Sequence, residues 1–257
     1  ADFSKSMRAS IVGRARFIED LLLEKVSHGI DQYVILGAGL DTFAQRHPEL
    51  AIKLQIFEVD QPGPQIWKQQ RLQEMNLFSP PSLHFVPVDF AAGESWWDKV
   101  IKSGFDSKKP ALIVSTGVSM YLNKEANFLT LKQIATLAPE SCFAMTFMLA
   151  LDLLDPKEKS ILEFVMKKAS QSGTPFLSLF APDEVMSLAK MAGFKKAVEV
   201  VDAILVSGVS FAFFQWFTSN YLGPMLPDVI AGIASILSLM IFLKFRKPAA
   251  IWRFKEE

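Results

Sequence analysis

The run Tyr33-Val34-Ile35-Leu36, followed at once by Gly37-Ala38-Gly39-Leu40-Asp41, limits what this chain can fold into more than any other segment. Four consecutive apolar residues bounded by glycine suit a short strand buried on both faces, as in a parallel sheet. A glycine turn at the end of such a strand lets backbone approach a ligand closely, which is the arrangement of nucleotide and nucleoside cofactor sites in open α/β sheets.

The rest of the N-terminal part supplies the partners such a strand needs. Lys53–Val59, Leu83–Val88, Ala111–Ser115 and Ser141–Phe147 are further strand candidates, with Pro87 weakening the second of these. Between them lie helical stretches at Gln65–Met75, Ser95–Ser103 and Lys124–Ala138, the last led by Asn123 as a cap. Residues 10–26 carry apolar positions at helical spacing and predict an amphipathic leading helix, while Pro156–Ser170 and Pro182–Ala192 predict two later ones. Strands alternating with helices imply βαβ units and a doubly wound, mostly parallel α/β sheet.

Which cofactor the glycine turn serves is decided by its surroundings. The dinucleotide fingerprint places a third glycine where this chain has Thr42, so an NAD dehydrogenase is disfavoured. About twenty residues on, Phe57-Glu58-Val59-Asp60 ends the second strand with two carboxylates, Glu58 and Asp60, suited to ribose hydroxyls. Asp89-Phe90 follows the third strand, where a carboxylate can accept from an adenine amino group and a ring can lie against the base. Each piece has a bland reading as an ordinary turn, a solvated acid or a common dipeptide. Their joint placement after strands one, two and three points to a nucleoside-type cofactor.

These blocks carry a family resemblance. Val34 to Thr42, then Phe57-Glu58-Val59-Asp60-Gln61-Pro62 with Lys68, then Val88-Asp89-Phe90, then Gly117-Val118-Ser119-Met120-Tyr121-Leu122, resemble the leucine carboxyl methyltransferase family, most closely its bacterial O-methyltransferase branch. The resemblance spans roughly residues 7–200. It implies a class I methyltransferase (Rossmann-like) fold with S-adenosyl-L-methionine across the carboxyl ends of the strands. It further implies that Gly37, Asp60, Asp89 and Phe90 contact that cofactor, with an arginine of the leading helix reaching its carboxylate; Ala38 and Gly39 of the same turn, Glu58 and Thr116 are candidates beside them. Arg14 is the candidate, and Arg8 and Arg16 are its rivals. The family commonly carries Glu-Gly where this chain has Thr116-Gly117, so Thr116 stands where a carboxylate would meet the methionine ammonium.

The implied reaction is an in-line displacement, which asks a protein chiefly to align acceptor and methyl donor and to exclude water. A carboxylate acceptor is already ionised near neutrality and needs no base, whereas a phenol or alcohol would need one, for which His47 and His84 are candidates. Tyr121 follows the fourth strand and is the acceptor-side candidate. Trp96-Trp97 and Phe176–Phe180 could line an apolar pocket, although aromatics at such positions are more often core, and Met120, Met145 and Met148 read as core fillers. With 27 basic and 27 acidic residues nothing in the bulk charge suggests nucleic acid. The three histidines lack ligand spacing, so no metal is expected, and the single Cys142 forms no internal disulfide and suits a reducing cytoplasm. Ala1–Phe17 lacks the apolar centre of a secretory signal.

Beyond Val201 the character changes, which divides the chain into 1–201, a cofactor-binding domain, and 202–257, an apolar segment with a basic tail. Ala203–Phe217 and Val229–Leu243 are uncharged apolar runs of 15 residues each, short of the ~20 that cross a bilayer. A turn-like stretch separates them, and Lys244, Arg246, Lys247, Arg253 and Lys255 follow. Two readings stand: a membrane hairpin with the basic cluster on the cytoplasmic side, or a packed segment in which Ala203–Val206 and Val209–Phe214 supply the two missing edge strands. Phe217–Lys244 also resembles part of the L-lactate permease family. The sequence therefore supports an O-methyltransferase acting on a carboxylate or hydroxyl of a small molecule or terminus, cytoplasmic or membrane-associated through 203–243. Its alternative is a cofactor-binding but inactive domain fused to a transporter fragment.

Overall fold

The computed structural model describes residues 2–77, 79–90 and 92–197, together with positions 234, 237 and 238. The chain divides into two compact units, Ala1–Phe17 with Val198–Glu257, and Ile18–Ala197. Helix α1 (Asp2–Ser27) starts in the first and ends in the second. It begins earlier than its apolar periodicity predicts, because no proline or glycine precedes Gly13 to stop it.

The second unit is an α/β sheet sandwich. β1 (Gln32–Leu36) leads through the short helices α2 (Phe43–Arg46) and α3 (Pro48–Ala51) to β2 (Gln55–Asp60). α4 (Pro62–Glu74), β3 (Leu83–Pro87), α5 (Trp96–Lys102) and β4 (Leu112–Ser115) follow. α6 (Lys124–Ile134), β5 (Cys142–Met145), α7 (Pro156–Gln171) and α8 (Pro182–Ala192) complete it. The five strands are all parallel in the order β3-β2-β1-β4-β5. This is the doubly wound sheet expected from the alternation of strands and helices.

The two sheet faces bury different halves of each strand, as period-two alternation requires. Tyr33, Ile35, Ile56 and Val114 pack with Leu22 of α1 and with Phe43, Ala44 and Ala51 of the first crossover. Val34, Leu36, Phe57, Val59 and Ile113 pack with Trp96 and Val100 of α5 and Ile134 of α6. Because both faces are covered, every residue of β1 and β4 is buried. β5 is only half-buried along its length.

Local chemistry fixes most of the boundaries. Asn123 Oδ1 accepts from Ala126 N at 2.8 Å to start α6, Ser95 Oγ from Asp98 N at 3.2 Å to start α5, and Asp155 Oδ1 from Lys157 N and Glu158 N, both at 2.9 Å, to start α7. Pro87 is tolerated because it is the last residue of β3, a strand paired on one side only in this order. Lys53 falls short of the strand expected to include it, because its N–H turns back to Leu50 O at 2.9 Å.

Helices α7 and α8 belong to the sheet-bearing unit. Phe180 bridges Leu149 just beyond β5, and Lys124 at the start of α6 pairs with Glu184 of α8. Among the described residues no helix is long and apolar enough to cross a membrane. The apolar runs 203–217 and 229–243, and with them the expected hairpin and edge strands, lie outside the described residues.

Candidate active site at the switch point of the sheet

The strand order reverses between β1 and β4, so the connections that leave their carboxyl ends run to opposite faces of the sheet and leave a crevice above it. The glycine turn is built there. Gly37 N and Ala38 N donate to Val59 O at 2.8 and 3.1 Å, which extends the β1–β2 pairing past the end of β1. Gly37 then takes φ +69° and Gly39 φ +51°, left-handed values that favour glycine. Nothing lies within 4 Å of where a Gly39 Cβ would sit, so backbone is presented to open space.

Asp60 locks this turn to the end of β2. One of its carboxylate oxygens accepts from Gly39 N at 2.5 Å and the other from Gln61 N at 2.7 Å. Asp60 is half-buried, which leaves lone pairs on both oxygens for a ligand. Glu58, expected beside it as a second ribose carboxylate, is a correction. It is 1% exposed and pairs with Lys68 Nζ of α4 at 2.5 Å, beneath the helix that begins at Pro62.

The third strand ends in a braced turn. Asp89 is exposed and its Oδ1 accepts from Ala92 N at 3.0 Å, while Asp89 N donates to Glu94 Oε2 at 2.6 Å. Lys99 of α5 holds the same Glu94 oxygen at 2.6 Å and also reaches Pro87 O at 3.0 Å. The Lys99 hydrogen bond, then the one from Asp89 N, holds the Glu94 carboxyl below its usual range. Glu94 and Lys99 went unnoticed in the sequence, where their five-residue spacing is unremarkable.

Beyond β4, Thr116 is half-buried, and Gly117 N donates to Thr146 Oγ1 at 2.8 Å. Ser119 Oγ in turn donates to Thr146 O at 2.8 Å, which ties the Gly117–Leu122 block to the end of β5. The buried Asn127 holds the same block from below, its amide donating to Ser119 O, Leu122 O and Asn123 O at 2.9, 3.2 and 3.0 Å. From the α7–α8 connection, Leu177 N donates to Met120 O at 2.6 Å and Ser178 Oγ to Leu122 O at 2.5 Å. Tyr121 is left 44% exposed, with the edge of its ring against Phe176 at 5.5 Å between centroids.

Other expected residues fall elsewhere. His84 lies near the amino end of β3, stacked on Phe57 at 4.8 Å and bonded to Gln55 at 2.9 Å, away from the strand carboxyl ends. His47 stands between Glu19 and Glu49, at 3.6 and 3.5 Å. Trp97 packs on Phe105 and Trp96 is buried, so this pair belongs to the core. Trp96 and Phe90 line a cavity of about 30 Å³ with Leu36, Ser115, Val118 and Met145. Arg14 belongs to the first compact unit, where burial lowers its guanidinium pKa; Arg16 is exposed, and the side chain of Arg8 lies outside the described residues. Among the described residues no cluster of ligating side chains could hold a metal.

Comparison with known proteins agrees with this geometry. A leucine carboxyl methyltransferase family model matches residues 2–135, and an L-lactate permease model matches residues 156–257, which include α7 and α8. The "Putative S-adenosyl-L-methionine-dependent methyltransferase YktD" of Bacillus subtilis (strain 168) is 37% identical over 183 residues, 71% of this chain and 60% of that protein. The L-lactate permease of the same organism is 51% identical over 83 residues, 32% of this chain and 14% of the permease. A crystal structure of a duf574 family protein from Streptomyces avermitilis shares the fold, with a TM-score of 0.55 at 18% identity over 76% of this chain and 71% of that one. The chain thus spans about three-fifths of the methyltransferase relative's length and a small part of the permease's. The sheet has the class I methyltransferase, Rossmann-like architecture, and with a family model matching just over half of its residues the chain belongs to the leucine carboxyl methyltransferase family.

Proposed function

We propose that the chain binds S-adenosylmethionine at the carboxyl ends of β1 to β4 and transfers its methyl group to an oxygen of a small molecule or terminus. The observation that carries this reading is the meeting of Gly39 and Asp60. A glycine whose Cβ position is open is bonded through its N–H to a half-buried carboxylate that keeps free lone pairs. Family membership and the names of the relatives support it.

When bound, the cofactor supplies an electrophilic methyl group on a sulfonium. The chain's own residues bind and orient. Asp60 accepts from ribose hydroxyls, Asp89 accepts from the adenine amino group, and Phe90 offers the base an apolar wall. Thr116 contributes a hydroxyl and no charge toward the methionine ammonium, so cofactor affinity rests on the nucleoside half. Tyr121 stands exposed beside the same loops, which supports its assignment to the acceptor side. With His84 held at the opposite end of its strand and His47 between two glutamates, no histidine base is set at the turn. That favours a carboxylate acceptor, which is ionised near neutrality without help.

Calorimetry with S-adenosylhomocysteine tests the reading. Micromolar binding that is lost in Asp60→Ala supports it, and folded protein that takes up no ligand sinks it. A screen with methyl-labelled cofactor against small carboxylates and phenols then separates an active enzyme from a binding domain without turnover. The second reading is favoured by the permease match over 156–257.

A further inference from the structure

The least expected group near the site is the buried carboxylate of Glu58. It is 1% exposed and Lys68 is 3% exposed, an ionisable pair sealed between β2 and α4. Burying two charges is costly, and removing either partner of such a pair leaves an uncompensated charge in the interior. Neither group reaches solvent, and the proposed chemistry uses neither.

What the pair fixes is the exit of β2. Glu58 lies two residues before Asp60, so both side chains belong to one face of the strand. Its carboxylate Oε2 holds Lys68 Nζ, and its backbone O accepts from Gln65 Nε2 at 2.8 Å. Two successive turns of α4 are therefore pinned to the residue that precedes the Asp60 turn. Along the chain a single residue, Gln61, stands between the end of β2 at Asp60 and α4, which starts at Pro62. The other oxygen, Glu58 Oε1, is buried without a hydrogen-bond partner among the described residues, of which Lys68 is the one that compensates the carboxylate.

We propose that Glu58, through Lys68, is a positioning residue for Asp60: the ion pair sets the angle at which β2 delivers the Asp60 carboxylate to Gly39 and to a bound nucleoside. This rests on the cofactor reading above for its ligand, though the effect on Gly39 does not. The pair is also responsive to pH. Burial pushes the Glu58 carboxyl up to about 7, Lys68 pulls it back down, and Asp41 of the glycine turn and Asp60 add to the rise. Flanking strands offer Glu58 apolar register partners, Ile35 and Phe85. The buried Tyr33 of β1 feels the Glu58 charge among others. Protonation of Glu58 below neutrality discharges the pair and loosens the Lys68 tie, leaving α4 held at the strand end by the Gln65 bond to Glu58 O alone, so cofactor affinity rises with pH through 7.

The test uses the full chain in two measurements. Calorimetry with S-adenosylhomocysteine at pH 6 and pH 8 is expected to show wild type binding more tightly at pH 8. Glu58→Gln should bind about tenfold more weakly there and show no pH dependence. The protection factor of the Gly39 amide in ligand-free wild type, taken against the intrinsic exchange rate at each pH, is expected to be higher at pH 8 than at pH 6, and Glu58→Gln is expected to lose that extra protection. A Glu58→Gln affinity within twofold of wild type, or a Gly39 protection factor that is the same at both pH values in wild type, overturns the proposal. Wild type that binds no S-adenosylhomocysteine while its Gly39 protection still follows pH upholds the lock on Asp60 and sinks the cofactor reading instead. The wild-type exchange measurement needs no variant, so a Glu58→Gln chain that failed to fold would leave the proposal open to refutation.

Discussion

Gly37 and Val118 approach so closely that a Cβ on the glycine would lie 2.2 Å from Val118 Cγ2. The contact joins the end of β1 to the loop after β4 across the switch point of the sheet. It explains why the first glycine of the turn has two separate reasons to be glycine, its φ of +69° and this neighbour.

Gly37→Ala therefore meets both a left-handed backbone and a clash with a stiff β-branched side chain. It is expected to cost about 3 kcal/mol in urea unfolding. Adding Val118→Ala should restore the part due to the clash and leave the backbone part, about 1 kcal/mol. A double variant no more stable than the single one would show that strain alone decides this position.

Asn127→Ala removes a buried side chain that donates to Ser119 O, Leu122 O and Asn123 O from within α6, while Leu122 N, Ser178 Oγ and Asn127 N still reach those three carbonyls. The loss is expected at about 1 kcal/mol in equilibrium unfolding, because the loop loses a buried tie to α6 while each carbonyl keeps one other donor. Faster amide exchange confined to Ser119–Leu122 would locate the effect.

Lys68→Met tests the buried pair through stability. The Glu58 carboxyl sits at about 7 in the folded chain against 4.5 when unfolded, so the folded state holds its proton over that window. Any contribution from that proton is fully present below 4.5 and is lost as pH rises through 7. Removing Lys68 takes away the group that lowers the value, so the folded carboxyl climbs further and the loss at high pH grows. The variant should fall behind wild type more at pH 8 than at pH 5 in urea midpoint; equal deficits at both would contradict the assignment.

Glu94→Gln frees Asp89 N from its charged acceptor and releases Lys99. Since Glu94 is exposed, the fold should be unchanged by circular dichroism, and S-adenosylhomocysteine binding is expected to weaken about two- to fivefold. The Glu94 carboxyl is held below its usual range, so the brace is complete above that range and fails only as pH falls through the lowered value.

Tyr121→Phe keeps the ring contact with Phe176 and removes only the exposed hydroxyl. Cofactor affinity is expected within about twofold of wild type, with turnover lowered about tenfold once an acceptor is in hand. Unchanged turnover would assign Tyr121 to packing.

The sequence by itself determined the strand set, the glycine turn, the caps at Asn123 and the start of α7 and α8 at prolines, because periodicity, capping and φ preferences act over a few residues. It also placed Gly37, Gly39, Asp60, Asp89 and Thr116 at strand ends, where a parallel sheet must present them. Only the tertiary structure decided between Glu58 and Asp60. The two carboxylates lie two residues apart on one face of β2, and neither composition nor spacing distinguishes them. α4 folds back over Glu58 and brings Lys68 from ten residues away, while Asp60 stands past the last covered position and meets Gly39. Burial by a returning helix is a non-local event, as are the Val118 contact with Gly37, the Thr146 anchor of Gly117 and the seating of Leu177 on Met120. Each joins segments that only the sheet order brings together.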